Sequence, residues 1–252
     1  MNKLLCYFLI GSFFLIGCSK SYKQAKTVLI EPTEAIIKKN KDKDFSVVLD
    51  DMKIEEEPDY MVYQQKYNIL TLVKDSLHTK KTPWQTVSKK YFKKHENDLG
   101  MEIVSSHNGR LSRVAQPVGF GWAIGDKKHG KWEGTSKDST KTNNSQRRWR
   151  THGTSPFFWY WLGTRRNTYR SDYNGYRTYN NNGNPYYGNQ SSRGNYTYGT
   201  RSTYERTNRS SFFSRKAQNV KKWSSLNRRS SRSSSRYSNG SSTRSRSGGY
   251  GK

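Results

Sequence analysis

The chain has 252 residues, of which 31% are hydrophobic on the AVILMFWYC count, short of the roughly 45–50% of a globular domain. Its 46 Lys+Arg stand against 19 Asp+Glu, a formal net charge of +27 that argues against one large compact core and favours polyanionic partners. The 14% aromatic content, with 18 Tyr and 7 Trp, exceeds what a merely solvating polyelectrolyte carries.

The N-terminus opens with Lys3 and continues from Leu4 to Ile16 without a charge, the pattern of a secretory signal peptide over 1–17. The apolar run is shorter than the roughly 20 residues needed to span a bilayer. It closes with Leu15, Ile16, Gly17 and Cys18, which resembles the lipobox of bacterial lipoproteins. The resemblance implies cleavage before Cys18, a diacylglycerol on its thiol and an acyl chain such as palmitate on the freed amine. Two or more acyl chains give stable anchoring where one is marginal, so the expected product is a lipid-anchored membrane protein. Ser19 follows the cysteine, where aspartate would retain an enterobacterial lipoprotein in the inner membrane. The expected location is therefore the outer membrane, facing the periplasm. Cys6 lies in the signal peptide and Cys18 takes the lipid, so no disulfide, thiol catalyst or cysteine metal site is expected.

Residues 18–44 are Lys-rich and suit a linker. From Phe45 a small α+β domain is expected, with a few antiparallel strands and one helix, extending to residue 165. Phe45, Val47, Val48 and Leu49 predict a short strand, and Tyr60 to Val73, rich in β-branched and aromatic residues, predicts a longer one. Pro83 to Gly100 predicts the helix, with Ser88 as N-cap, Val87, Tyr91, Phe92, His95 and Leu99 at helical spacing, and Gly100 as its stop. Asn108-Gly109 between two short β-like runs predicts a tight hairpin. The Gly/aromatic stretch from Val118 to Trp132 suits irregular strands or close-packed turns.

Beyond about Ser136 the composition changes. Residues 136–252 hold 24 Lys+Arg against 3 acids, a net +21, whereas the first 135 residues hold 22 against 16, a net +6. After Gly163 the only Val, Leu, Ile, Met, Phe or Trp are Phe212, Phe213, Val220, Trp223 and Leu226. That is too little apolar surface to offset chain entropy, so residues 166–252 are expected to be a disordered tail rich in Arg, Ser, Asn, Tyr and Gly. Its end approaches a Ser/Arg repeat.

Thr82-Pro83-Trp84, Tyr91-Phe92, Lys94-His95-Glu96, Leu99-Gly100-Met101-Glu102, Pro117-Val118-Gly119-Phe120 and Gly130-Lys131-Trp132 together resemble a family of uncharacterised bacterial envelope proteins associated with the Bacteroidota. The resemblance covers roughly residues 80–165 and implies a cellular setting, with no catalytic residue to transfer.

No catalytic or metal constellation stands out. His78, His95, His107, His129 and His152 show no ligand spacing, His95 beside Glu96 suits a helix surface better than a dyad, and no serine sits in a Gly-x-Ser-x-Gly elbow. No cofactor is expected. Asp75-Ser76-Leu77 and Asp138-Ser139-Thr140 resemble a three-residue O-glycosylation signal of Bacteroidota.

Phe157 to Leu162 is an apolar run expected as a strand buried on both faces; alternatively Trp159, Tyr160 and Trp161 form an aromatic platform for a membrane interface or glycan. The tail arginines, represented by Arg228, Arg229, Arg232 and Arg236, are the expected polyanion-binding residues, and its tyrosines are expected to offer stacking faces. Export makes lipopolysaccharide, anionic lipid or polysaccharide the better partners, ahead of nucleic acid. The functional expectation is a noncatalytic, lipid-anchored envelope protein whose basic tail contacts these polyanions. The rival is a cell-wall or glycan-acting enzyme or accessory with an aromatic groove.

Overall fold

The structure, a computed structural model, describes residues 23–134, 146–164 and 167–226. Among these residues the architecture is α+β: a curled seven-stranded sheet, a two-stranded ribbon and seven helices. That exceeds the few strands and single helix expected. None of the described helices is long and apolar enough to cross a membrane.

Two long antiparallel strands, β2 (Asp44–Glu56) and β3 (Tyr60–Val73), form the spine. Strand side chains alternate faces, so Phe45, Val47 and Leu49 share one face, and Met52 and Ile54 would fall on the other in a regular strand. A bulge between Leu49 and Asp51 inserts one residue and resets the alternation. All five side chains therefore enter the same core, each no more than 6% exposed. The sheet order is β1-β3-β2-β6-β7, where β1 is Gln24–Ala25, β6 Glu102–His107 and β7 Arg110–Ser112. β4 (Ser76–Lys81) and β5 (Gln85–Val87) pair with opposite halves of the second long strand. Pro83 thus precedes a strand, and the expected helix shortens to α2 (Lys89–Lys94).

Two hairpins have contrasting turn chemistry. Asn108 and Gly109 join β6 to β7 with φ of 52° and 73°, as a type I′ turn requires. The β3–β4 turn makes the same positive-φ excursion with Lys74 (φ 44°) and Asp75 (φ 60°), side chains that disfavour it. Replacing Lys74-Asp75 by Asn-Gly should stabilise the fold by about 1 kcal/mol, measurable as a higher urea midpoint at unchanged m-value.

The first core lies against the long strands. Ser88 caps α2 by accepting from the Tyr91 amide at 3.1 Å, which turns Phe92 inward against Tyr63 (5.3 Å between ring centroids) and Trp223 (5.4 Å). The expected linker is partly folded. α1 (Pro32–Lys39) packs Ile36 and Ile37 on this core, and its buried Thr33 hydroxyl donates to the Tyr91 phenol oxygen at 2.9 Å. Here proline at the helix start and a local apolar pair outweigh a lysine-rich average.

The larger correction concerns residues 167–226. They were expected to be disordered, yet α4 (Arg170–Asn181), α5 (Thr203–Asn208), α6 (Ser210–Gln218) and α7 (Val220–Ser224) all pack on the fold. Phe212, Trp223 and Leu226 complete the first core. Ser202 and Glu205 start α5 in the Ser-x-x-Glu pattern, the Ser202 hydroxyl accepting from the Glu205 amide at 3.2 Å. The bulged segment presents Asp50 and Asp51 to this arm: Arg209 donates to Asp50 Oδ1 at 2.7 Å, and Arg215 reaches both oxygens of Asp51 at 2.6 Å.

The second core is built from aromatic residues. Phe120 meets Tyr176 (5.2 Å), Tyr198 (5.6 Å) and Tyr173 (6.1 Å), and Tyr186 packs against Tyr176, Tyr179 and Tyr198. Trp132 and Trp149 form a cross-strand pair in the ribbon of β8 (Gly130–Glu133) and β9 (Arg148–Thr151). Tyrosine supplies as much buried ring area as phenylalanine, with a hydroxyl that can be satisfied at the rim, so a segment poor in aliphatic side chains still folds. The run expected as a doubly buried strand is α3 (Phe158–Thr164), preceded by the buried Phe157. Its residues project around a helix instead of onto two faces.

Candidate functional site

The segment from Tyr186 to Ser202 forms a loop held by its own hydrogen bonds. The Tyr198 amide donates to the Tyr187 carbonyl at 2.9 Å, and the Ser191 amide to the Asn195 carbonyl at 2.8 Å. Thr200 clips it to the turn after α2: its amide donates to the Asn97 carbonyl and its hydroxyl to the Glu96 carbonyl, both at 2.9 Å. Gly199, at φ 79°, allows the close approach, since a Cβ there would strike the Asn97 carbonyl. The result is a hollow of about 110 Å³ lined by Asn97, Tyr187, Tyr196, Tyr198 and Arg201. It adjoins an open groove of about 450 Å³ edged by Asn189, Ser191, Arg193, Asn195 and Thr203, with Tyr196 common to both.

Electrostatically the groove is cationic. The exposed Arg201 guanidinium lies 5.4 Å from the Tyr196 ring centroid, and among the described residues neither Arg193 nor Arg201 has a carboxylate partner. Asp98, beside the hollow, is masked by its partners. Tyr187 donates its hydroxyl to Asp98 Oδ1 at 2.6 Å, and His95 Nδ1 donates to Asp98 Oδ2 at 2.7 Å, with both His95 and Asp98 buried. Burial and the adjacent Asp98 push the Tyr187 phenol well above its ordinary range. Tyr187 therefore stays protonated and is a fixed wall, ill suited to serve as a general base. His95, expected at the helix surface, is part of this buried chain.

A second polar constellation is enclosed. Glu102, fully buried, accepts at Oε1 from the Gly119 amide and the Trp122 indole, both at 3.0 Å, and at Oε2 from the Gln116 amide at 2.8 Å. Gln116 is oriented in turn by the Tyr176 hydroxyl, which donates to its Oε1 at 2.9 Å. Burial pushes the Glu102 carboxyl above its ordinary range, partly offset by Gln116, Trp122, Gly119 and Ser46. The Ser46 hydroxyl also lies 2.8 Å from His107 Nε2, and the His107 ring stacks on Trp122 at 4.4 Å. Serine here bridges the carboxylate and imidazole, whereas nucleophile activation needs the imidazole between the other two. This network organises the core.

Burial lowers the His107 pKa from 6.5 to about 4, opposed by Asp44 and reinforced by His129. A depressed histidine contributes stability that is complete above its unfolded value and is lost as pH falls through the folded one. Acid should therefore weaken the fold between about pH 6.5 and 4. The stability gap between wild type and His107→Gln should narrow over that interval in thermal melts. A gap that stays constant from pH 7 to 4 would contradict the assignment.

The expected aromatic platform is not assembled. Trp159 is 76% exposed, while Tyr160 and Trp161 are partly buried and pack toward the second core. Consecutive residues on a helix diverge, so the three rings present no common face. Tyr186 and Tyr198, expected as free stacking rings, are each 4% exposed. Cys18 and the lipobox residues Leu15, Ile16 and Gly17 lie outside the described residues, as do Ser139 and the arginines Arg228, Arg229, Arg232 and Arg236. Ser76 is exposed where β4 begins. No cluster of three or more potential metal ligands occurs among the described residues.

A basic face does emerge. Lys90, Lys93 and Lys94 project from α2, and Lys89 donates its ammonium to the Ser225 carbonyl at 3.1 Å. That bond joins the α2 lysines to α7, with its Lys221 and Lys222. Leu226, just beyond α7, is buried. No protein-family model matches this chain, and neither the curated proteins nor the solved structures yield a match.

Proposed function

We propose that the protein is a noncatalytic, lipid-anchored component of the bacterial envelope that holds polyanions through this basic face and the arginine-rich segment that follows it. The observation that supports the reading most is the Lys89–Ser225 contact beside the buried Leu226. Two residues after Leu226 the sequence continues into Arg228, Arg229, Arg232 and Arg236. Residues 227–252 hold seven Lys+Arg and no acid, and they follow Lys221 and Lys222 of α7 in sequence. Fields of this kind recruit phosphate-bearing polymers and surfaces with little demand for shape. The signal peptide and lipobox pattern supply the setting: an anchor at Cys18 in the outer membrane, the folded part facing the periplasm, and lipopolysaccharide phosphates, anionic lipid or polysaccharide as partners.

Affinity for lipopolysaccharide should fall steeply with salt, because each neutralised phosphate releases counterions. Replacing Arg228, Arg229, Arg232 and Arg236 together by Ser should flatten the slope of log affinity against log salt by roughly 3. An unchanged slope would sink the assignment of those arginines. Cys18→Ser should abolish incorporation of labelled palmitate and leave the chain unprocessed or soluble; continued labelling with retention in detergent would contradict the anchor.

A further inference from the structure

We infer that the Tyr196–Arg201 groove is a binding site for an acidic sugar, a pyranose carrying a carboxylate or phosphate, separate from the basic face. Its lining combines what such a ligand needs. The hollow of about 110 Å³ is lined by the partly exposed Tyr187 and Tyr196 and by the buried Tyr198; the two partly exposed rings offer apolar surface to the C–H face of a pyranose. The adjoining groove presents Asn189, Ser191, Asn195 and Thr203, amides and hydroxyls that both donate and accept, as ring hydroxyls do. Arg193 and Arg201 add cationic forks suited to a planar carboxylate or a phosphate. The Arg201 guanidinium is already ordered over Tyr196 at 5.4 Å.

The site is also preorganised. The loop closes on itself through Ser191 and Asn195 and is fastened below through Thr200, so a ligand need order little backbone on binding. Of the acids acting on Tyr187, Asp98 has one oxygen bonded by Tyr187 and the other by His95, and Glu96 is the opposing charge that Arg193 and Arg201 outweigh. A nucleic-acid strand is the poorer match. Tyr187 and Tyr196 are tilted by 55° at 5.9 Å, leaving no parallel slot for a base, and hydroxyl and amide groups outnumber cations along the groove.

The test is calorimetric titration of the full mature chain with trigalacturonate, glucose 6-phosphate, neutral maltotriose and a short oligothymidylate. An acidic sugar should bind at least ten-fold more tightly than maltotriose, with trigalacturonate against glucose 6-phosphate distinguishing carboxylate from phosphate. Arg201→Gln and Tyr196→Ala should each weaken acidic-sugar binding about ten-fold, and Tyr196→Phe should preserve it, with the thermal melt of Arg201→Gln unchanged because that side chain is exposed. The variant with Ser at 228, 229, 232 and 236 should bind the sugars as wild type does, which separates this site from the polyanion reading. Equal binding of maltotriose, tighter oligothymidylate binding lost in Tyr196→Ala, no acidic-sugar binding at all, or sugar binding lost only in the arginine-to-serine variant would each overturn the inference.

Discussion

Glu102→Ala is expected to cost about 3–5 kcal/mol of stability, because it strips the acceptor from the Gly119 amide and Trp122 indole and removes one acceptor of the Gln116 amide, all inside the core. Against the ~5–15 kcal/mol that holds a typical domain, this approaches complete unfolding at 37 °C. Glu102→Gln should cost less, since its oxygen can still serve Gly119 and Trp122. Its amide nitrogen would meet the Gln116 amide donor, whose orientation the Tyr176 hydroxyl fixes. Denaturant unfolding of both variants checks the order. An Ala variant as stable as wild type would mean that the carboxylate is not the organiser of the second core.

Trp223→Ala should be comparably damaging, at about 3–5 kcal/mol for an aromatic ring removed from a core. The side chain is 8% exposed and meets Phe92 and Phe212 at 5.4 and 5.6 Å. The same physics predicts that a chain ending at residue 165 fails to fold. It would lack Phe212 and Trp223 over the sheet, and Tyr176, Tyr186 and Tyr198 around Phe120. Limited proteolysis should leave a resistant fragment that retains α4 to α7. A stable, cooperatively melting 23–165 fragment would show that the C-terminal helices are accessory.

Part of this fold is legible in the sequence and part is not, for identifiable reasons. β3, the Ser88 cap and the Asn108-Gly109 turn announce themselves because each depends on local chemistry, whereas the short strand expected at Phe45–Leu49 runs on to Glu56 because the bulge carries it past Asp50 and Asp51. The position of the bulge is also written in the spacing of Phe45, Val47, Leu49, Met52 and Ile54, whose apolar alternation skips one residue. The C-terminal half misleads because counting aliphatic residues, Phe and Trp treats tyrosine as solvated. Tyr176, Tyr186 and Tyr198, each 4% exposed, function as core residues. The Ser202/Glu205 capping pattern was the local signal available for that half. The groove was not legible, since Asn97 and Arg201 are brought together by a loop clipped through Thr200, and composition carries no record of that contact.

Hydrogen exchange of the protein on lipopolysaccharide-containing vesicles, against zwitterionic vesicles, tests the polyanion reading most directly. The account predicts that lipopolysaccharide protects amides of α2, Lys89–Lys94, and α7, Val220–Ser224, and that this protection disappears as salt rises from 50 to 500 mM. Tight binding that persists at high salt and leaves both helices exchanging as in the free protein would contradict it.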